Sequence, residues 1–279
     1  MRRIDDAAIA ETAERRFRSE YDYAVFEYWR SAKVIEALER AGVKIAGRVL
    51  DAGCGGGGMT LSLAEECEAA AGIDLEARFH DAGTRLARER GIRNAFFVRA
   101  DGTRLPFRAG SFAFVFSHSV IEHVASAEAY LAECHRVLEP GGVLYLSTAP
   151  YVSLAGAHLP RLLVPIPIHI LLGRPAAFRA FVWLGRHAPW LLQERKEANT
   201  FIALAEEGKQ KRDDLLQKVT VRRLAAWIQT AGFRILREDR HVTGFFRRFV
   251  PGPLRRLLER APFTRDVMIG HIQCVLLKP

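Results

Sequence analysis

VLDAGCGGGG, residues 49–58, sets a short apolar run directly against a cluster of glycines. The run, with Arg48 before it, reads as a buried strand ending at Asp51, and helical spacing resumes from residue 59 to about 67, which makes a strand, a tight turn and a helix. Asp51, Gly53, Gly55 and Gly57 alternate along the turn. Glycine is needed there because the backbone must adopt unusual dihedrals, and because a side chain would block a ligand from the chain and from the helix start. A nucleotide-like ligand fits such a turn. Asp74, 23 positions beyond Asp51, ends the next strand, where a carboxylate can accept from both hydroxyls of a ribose. Loop and carboxylate together point to an adenosine-containing cofactor.

Outward from this unit the alternation continues. Residues 71–74, 95–99, 112–117 and 143–147 read as strands, separated by helical spacing over 77–90 and 127–138. Strands separated in this way build a parallel sheet covered on both faces. Upstream, Phe17, Tyr21, Val25, Tyr28, Val34, Ile35 and Leu38 recur at helical spacing and Gly42 is placed to end the helix, so one or two helices precede the sheet. Downstream, residues 151–192 mix prolines, glycines and bulky apolar residues with arginine and histidine, as an insertion does, and a charged helical stretch follows to about 217. Thr220 opens a helix that Gly232 caps, and 233–240 and 269–277 are the last two strands. The fold expected is α/β: a doubly wound, mostly parallel seven-stranded sheet with N-terminal helices and a helical lid insertion. Its divisions are a helical segment over 1–42, a cofactor-binding core over 43–150, a lid over 151–217, and the end of the core over 218–279 with a second basic and apolar insertion at 241–268.

The loop alone leaves two cofactors open, because Gly53, Gly55 and Gly58 also satisfy GxGxxG, the pattern of nicotinamide and flavin dinucleotide sites. Order and spacing over a longer stretch separate them. Asp51 opens DxGxGxG, Gly72-Ile73-Asp74 follows, Val98-Arg99-Ala100-Asp101-Gly102 ends the third strand, and Leu138-Glu139-Pro140-Gly141-Gly142-Val143-Leu144 leads into the fifth. With that set, residues 47–150 resemble class I S-adenosylmethionine-dependent methyltransferases, especially the branch that methylates small or lipophilic molecules. The resemblance implies S-adenosyl-L-methionine as cofactor. Gly53 and Gly55 would run against its methionine part and Asp51 would order the loop and hold the amino end, with Gly57 completing the turn. Asp74 would take the ribose, with Leu75 next to it. Asp101 would accept from the adenine amine and Gly102 would let the chain pass the ring, while Ser117 and His118 would lie beside the sulfonium. Taken singly, Asp74 and Asp101 also suit helix caps.

Methyl transfer from a sulfonium is an in-line displacement, so alignment and exclusion of water carry much of it, and a base is needed only for a protonated acceptor. SHSVIEHV, residues 117–124, supplies candidates, with His123 first because an imidazole near neutrality suits proton removal. The matching histidine of relatives also reads as a packing residue. Both insertions leave strands expected to be parallel to the first, so both would roof the cofactor edge. Their mixture of large apolar groups and arginine suits an anionic membrane surface and a lipophilic acceptor, and equally suits a lid packed on its own core or an oligomer interface. Pro160, Pro165, Pro167 and Pro175 interrupt any span.

A net charge of +9 on 279 residues favours an anionic partner without naming it. Cys54, Cys67, Cys134 and Cys274 are scattered, which indicates neither a zinc site nor a disulfide framework and suits a reducing cytosol. The charged start and the lack of a long uncharged apolar run argue against export and a membrane span. A cytoplasmic protein, peripheral at a membrane at most, is the expectation. An RNA or protein methyltransferase and a non-catalytic cofactor-binding scaffold are the alternatives. No separate nucleic-acid module and no Asn-Pro-Pro-Tyr motif after the fourth strand supports the former, so no nucleic acid is expected as partner.

Overall fold

The computed structural model describes residues 4–279 apart from 17, 155, 161, 164–165, 193–204 and 206–214. Most of the charged stretch expected to reach residue 217 lies outside the described residues, as do Phe17 and Pro165. Seven strands, β1 (Arg48–Ala52), β2 (Ala69–Asp74), β3 (Ala95–Arg99), β4 (Phe112–His118), β5 (Leu138–Thr148), β6 (Arg234–Val242) and β7 (Ile269–Leu277), form one sheet in the order β3-β2-β1-β4-β5-β7-β6. β7 runs antiparallel to both neighbours, and the other described pairings are parallel. This is the mostly parallel, doubly wound sheet that the sequence predicts.

The apolar runs of the strands split between two faces at a period of two. Leu50, Val115, Leu144 and Leu276 pack with Tyr130, Leu131, Trp227 and Ile228 of α5 (Ala127–Val137) and α8 (Val221–Thr230). Val49, Phe114, Phe116, Tyr145 and Val275 face the other way, onto Ile35 and Leu38 of α2 (Glu20–Arg40) and Met59 and Leu63 of α3 (Gly58–Ala64). Each fully buried large side chain contributes roughly 1.5–3 kcal/mol, so covering both faces is the main source of stability. Caps fix where helices begin: Asp5 opens α1 (Asp6–Arg15), Ser19 opens α2, Ser126 opens α5 and Thr220 opens α8, each accepting from an amide in the first turn.

Two local expectations are corrected. The helix expected over 77–90 is a single 3-10 turn, Arg78–His80, followed by α4 (Ala82–Arg90). Pro140-Gly141-Gly142, a turn signal in sequence, lies within β5. The pairing with β4 jumps from Phe112↔Leu138 to Phe114↔Val143, so the extra residues are taken up as an irregularity. The insertion after β5 holds α6 (Ile168–Leu172) and α7 (Arg174–His187), whose Phe181 and the following Leu192 are buried among Leu159, Leu162, Ile168 and Leu184. The insertion after β6 is three short helices, α9 (Gly244–Phe249), α10 (Gly252–Leu258) and α11 (Pro262–Met268). β5 and β6 are both parallel to β1, so both insertions leave from the sheet edge that carries the glycine loop.

Candidate active site

Gly53 and Cys54 both donate their amides to the Ile73 carbonyl at 2.8 Å, which ties the loop after β1 to the end of β2. Gly53, Gly55 and Gly57 have φ of +106°, +52° and +86°. What lies in front of each differs. A Cβ at Gly53 would meet Val120 Cγ2 at 2.3 Å, one at Gly57 the Phe97 ring at 2.6 Å, and one at Gly58 the Ala24 carbonyl at 1.9 Å. At Gly55 the nearest atom would be an Arg78 guanidinium nitrogen, 3.9 Å away. The first three glycines are therefore demanded by the protein's own packing, whereas the space before Gly55 is left open.

Carboxylates border that space. Asp74 accepts from the Gly55 amide at 2.8 Å through one oxygen and from the Glu76 amide at 2.9 Å through the other. Each oxygen keeps a lone pair, so two hydroxyls can still be taken. Leu75, next in the chain, is 64% exposed, a large apolar group held at the surface of the cleft. Asp101 accepts from the Thr103 amide and hydroxyl, both at 2.8 Å and both on Oδ1, and these bonds hold its carboxyl below the usual range. Ala100 donates to the Asp74 carbonyl at 3.0 Å, which brings the two acidic positions together. A Cβ at Gly102 would strike the Tyr130 ring at 2.8 Å. Asp51 is 2% exposed and accepts from Thr60 Oγ1 at 2.6 Å. Burial pushes its carboxyl up to about 7 against the pull of that bond, and the charges of Glu27 and Asp74 add to the rise.

The end of β4 presents its side chains to two sides. Ser117 is buried on the α5 side beside the Tyr130 hydroxyl, 2.7 Å away, and Tyr130 also lies 2.9 Å from the Ala52 carbonyl. A carbonyl can only accept, so the single Tyr130 proton goes to Ala52 and Ser117 donates to Tyr130. The Ser117 hydroxyl is thus spent in the core. His118 faces α2, where Arg30 Nη2 stands 3.4 Å from its Nε2 and Ser147 Oγ 2.7 Å from its Nδ1. Arginine can only donate, so Nε2 is the acceptor and Nδ1 carries the proton. Burial, then Arg30 and His271, holds this ring down to about 3, and His271, 5.8 Å away, is held down to about 4. Both imidazoles are neutral near pH 7.

Just beyond, Glu122 is buried and accepts from Thr148 Oγ1 at 2.9 Å. His158 Nε2 lies 3.8 Å from its other oxygen, and the rings of His123 and His158 stand 5.2 Å apart. One donor atom from each of Glu122, His123 and His158 falls within 4.8 Å of the others. Burial pushes the Glu122 carboxyl up. The structure therefore places Asp51, Gly53, Gly55, Gly57, Asp74, Leu75, Asp101 and Gly102 around the ends of β1 to β3, and Ser117, His118 and His123 at the end of β4. Sequence reading had missed Arg30, Thr60 and His158. Thr60, nine positions after Asp51, was the one within reach, as the first hydroxyl of the helix that follows the loop.

Residues 50–146 match the family described as Methyltransferase domain. A demethylmenaquinone methyltransferase of Beutenbergia cavernae is 33% identical over 144 residues, 50% of this chain and 56% of that protein. A ubiquinone biosynthesis O-methyltransferase of Sodalis glossinidius is 29% identical over 138 residues, 47% of this chain and 55% of that one. The chain thus spans about half the length of the curated relatives it matches. An S-adenosylmethionine dependent methyltransferase of Mesorhizobium loti shares the fold, with a TM-score of 0.53 at 18% identity over 87% of this chain and 96% of that one. Residues 50–146 thus resemble a methyltransferase domain, and the sheet around them has the fold of a solved S-adenosylmethionine dependent methyltransferase. The match supports S-adenosyl-L-methionine over the dinucleotide that GxGxxG left open.

Proposed function

We propose that the protein methylates a small lipophilic acceptor of quinone type, at the surface of an anionic membrane. The observation that carries the cofactor half is the opening before Gly55 beside an Asp74 carboxylate with two lone pairs in reserve. Asp74 would hold the ribose, Asp101 and Gly102 the adenine, Leu75 one face of the adenosine, and Gly53, Gly55 and Asp51 the methionine end. The cofactor supplies an electrophilic methyl group on a sulfonium. The protein aligns the acceptor, excludes water and manages one proton. His118, neutral and with Nε2 turned to Arg30, is a poor proton acceptor. His123 is assigned that proton, with buried Glu122 and His158 positioning it.

The acceptor class rests on the quinone-biosynthesis relatives and on the insertions. Residues 151–217 would act as lid and 241–268 as a second cover over the 43–150 core, with 1–42 closing the α2 side. Leu171, Leu172, Trp183 and Trp190 of the first insertion, and Phe249, Leu257 and Phe263 of the second, are all more than half exposed. No helix among the described residues is long and apolar enough to cross a membrane, so contact would be peripheral. The test is transfer of labelled methyl from S-adenosylmethionine to short-chain hydroxyquinones. Label in the quinone fraction, absent with Asp74→Ala, supports the reading. Wild-type protein that binds cofactor but labels only RNA or protein would replace it.

A further inference from the structure

A cavity lies at the β6 edge of the sheet. It has a volume of about 530 Å³ and is lined by Arg240 and Val242 of β6, Arg256, Glu259 and Arg260 at the end of α10 and after it, Arg265 of α11, and Ile269 of β7. Four guanidinium groups face one carboxylate. Some of that charge is met locally: Arg240 pairs with Glu238, Arg265 lies 3.3 Å from Asp266, and Glu259 is approached by Arg255 at 3.9 Å. Arg256 and Arg260 make no side-chain hydrogen bond or ion pair among the described residues. Arg256 in the last turn of a helix is favourable on its own. That accounts for one arginine, not for three more converging from β6, α11 and the loop after α10. Like charges gathered around one cavity repel, and an anion relieves them.

We propose that this cavity binds a phosphoryl group, and that a membrane lipid presents it. Guanidinium forks match phosphate oxygens in pairs, which a diffuse cationic surface does not. Leu254 and Leu257 of α10 are 47% and 57% exposed and Phe263 of α11 57%, so aliphatic and aromatic groups stand beside the arginines with nothing of the described chain over them. Aliphatic groups next to a phosphate site suit acyl chains better than stacked bases. β6 is three strand spacings from β4, about 14 Å, and its carboxyl end lies on the edge that carries the glycine loop. A phosphate held there would turn that edge, and the entrance for the acceptor, toward the bilayer. The proposal rests on the membrane-surface part of the proposed function and on none of its cofactor chemistry.

The test uses the full chain and Arg256→Gln/Arg260→Gln, both exposed positions, with equal S-adenosylhomocysteine affinity as the check on folding. Binding is measured to phosphatidylcholine vesicles with and without phosphatidylglycerol, to inorganic pyrophosphate, and to a short single-stranded RNA. Loss of two charges near a surface should weaken binding to the anionic vesicles about 30-fold, and Leu254→Ser/Leu257→Ser should weaken it without changing pyrophosphate binding. Arginine-dependent pyrophosphate binding with no vesicle binding would keep the phosphoryl site and discard its membrane source, leaving the methyltransferase reading untouched. Unchanged vesicle and pyrophosphate binding in the arginine variant, or tighter arginine-dependent binding to RNA than to vesicles, overturns the proposal.

Discussion

Cofactor binding should release a proton, and Asp51 should be its source. Its carboxyl is buried and pushed up to about 7, chiefly by burial, with the Thr60 bond opposing. At that value about nine-tenths of the group is protonated at pH 6 and about a quarter at pH 7.5. S-adenosylmethionine brings a sulfonium and an ammonium, and a positive charge near a carboxyl favours its ionised form. If contact returns Asp51 to the ordinary carboxylate range, binding releases about 0.9 proton at pH 6 and about 0.2 at pH 7.5, and affinity rises about eightfold between them. The protein without cofactor should show the opposite trend in stability. The folded carboxyl holds its proton longer than the unfolded one, so stability falls as pH rises from the ordinary carboxylate range to about 7, then levels. The assay is calorimetric titration in buffers of different ionisation enthalpy, with Asp51→Asn as control. Asparagine can still accept from Thr60 but carries no proton to lose. No proton release from wild type at pH 6, or the same pH slope in Asp51→Asn, would refute the role given to Asp51.

Asp74→Ala should weaken cofactor binding roughly 10- to 100-fold, by removing two hydroxyl acceptors and leaving the Gly55 and Glu76 amides without theirs; unchanged affinity by calorimetry would remove Asp74 from the site. Gly55→Ala and Gly53→Ala should separate two kinds of glycine. The former places a methyl in open space at a left-handed φ, so its melting temperature should fall only by the backbone strain while cofactor affinity falls; the latter adds a methyl 2.3 Å from Val120 to the same kind of strain and should melt well below it. His123→Ala should lower kcat about 100-fold at neutral pH with S-adenosylhomocysteine affinity intact, and activity should recover at high pH as the acceptor ionises by itself. A kcat equal to wild type across the pH range would leave His123 a packing residue.

The sheet was legible because its information is local. Val49 and Leu50, Phe114 and Val115, Leu144 and Tyr145 are adjacent apolar pairs that go to opposite faces, and such unbroken apolar runs suit strands covered on both sides. The acidic residues at the ends of β2 and β3 were legible for the same reason, since the end of a strand can be counted. Pro140-Gly141-Gly142 misled because composition signals a break without saying whether the pairing on either side survives it, and here β5 continues with a shifted register. Arg30 was illegible as a site residue. It is 88 positions from His118, and only the crossing of α2 over the end of β4 brings them together.

The groups proposed to handle the proton illustrate the same division. Glu122 and His123 are neighbours in the loop after β4 and could be read as a pair. His158 comes from the insertion after β5, at a non-glycine φ of +50°, and joins them only because that chain folds back over the sheet edge. An insertion that supplies a third ionisable group at the mouth of the site does more than cover it. The buried Glu122 faces a histidine from the core and a histidine from the insertion, and Gln217, at the far end of the same insertion, donates its amide to the Glu122 carbonyl at 3.0 Å. Both ends of the insertion are thereby tied to the residue that positions His123. In the proposed mechanism, the same chain that selects the acceptor therefore also sets the geometry in which its proton is removed.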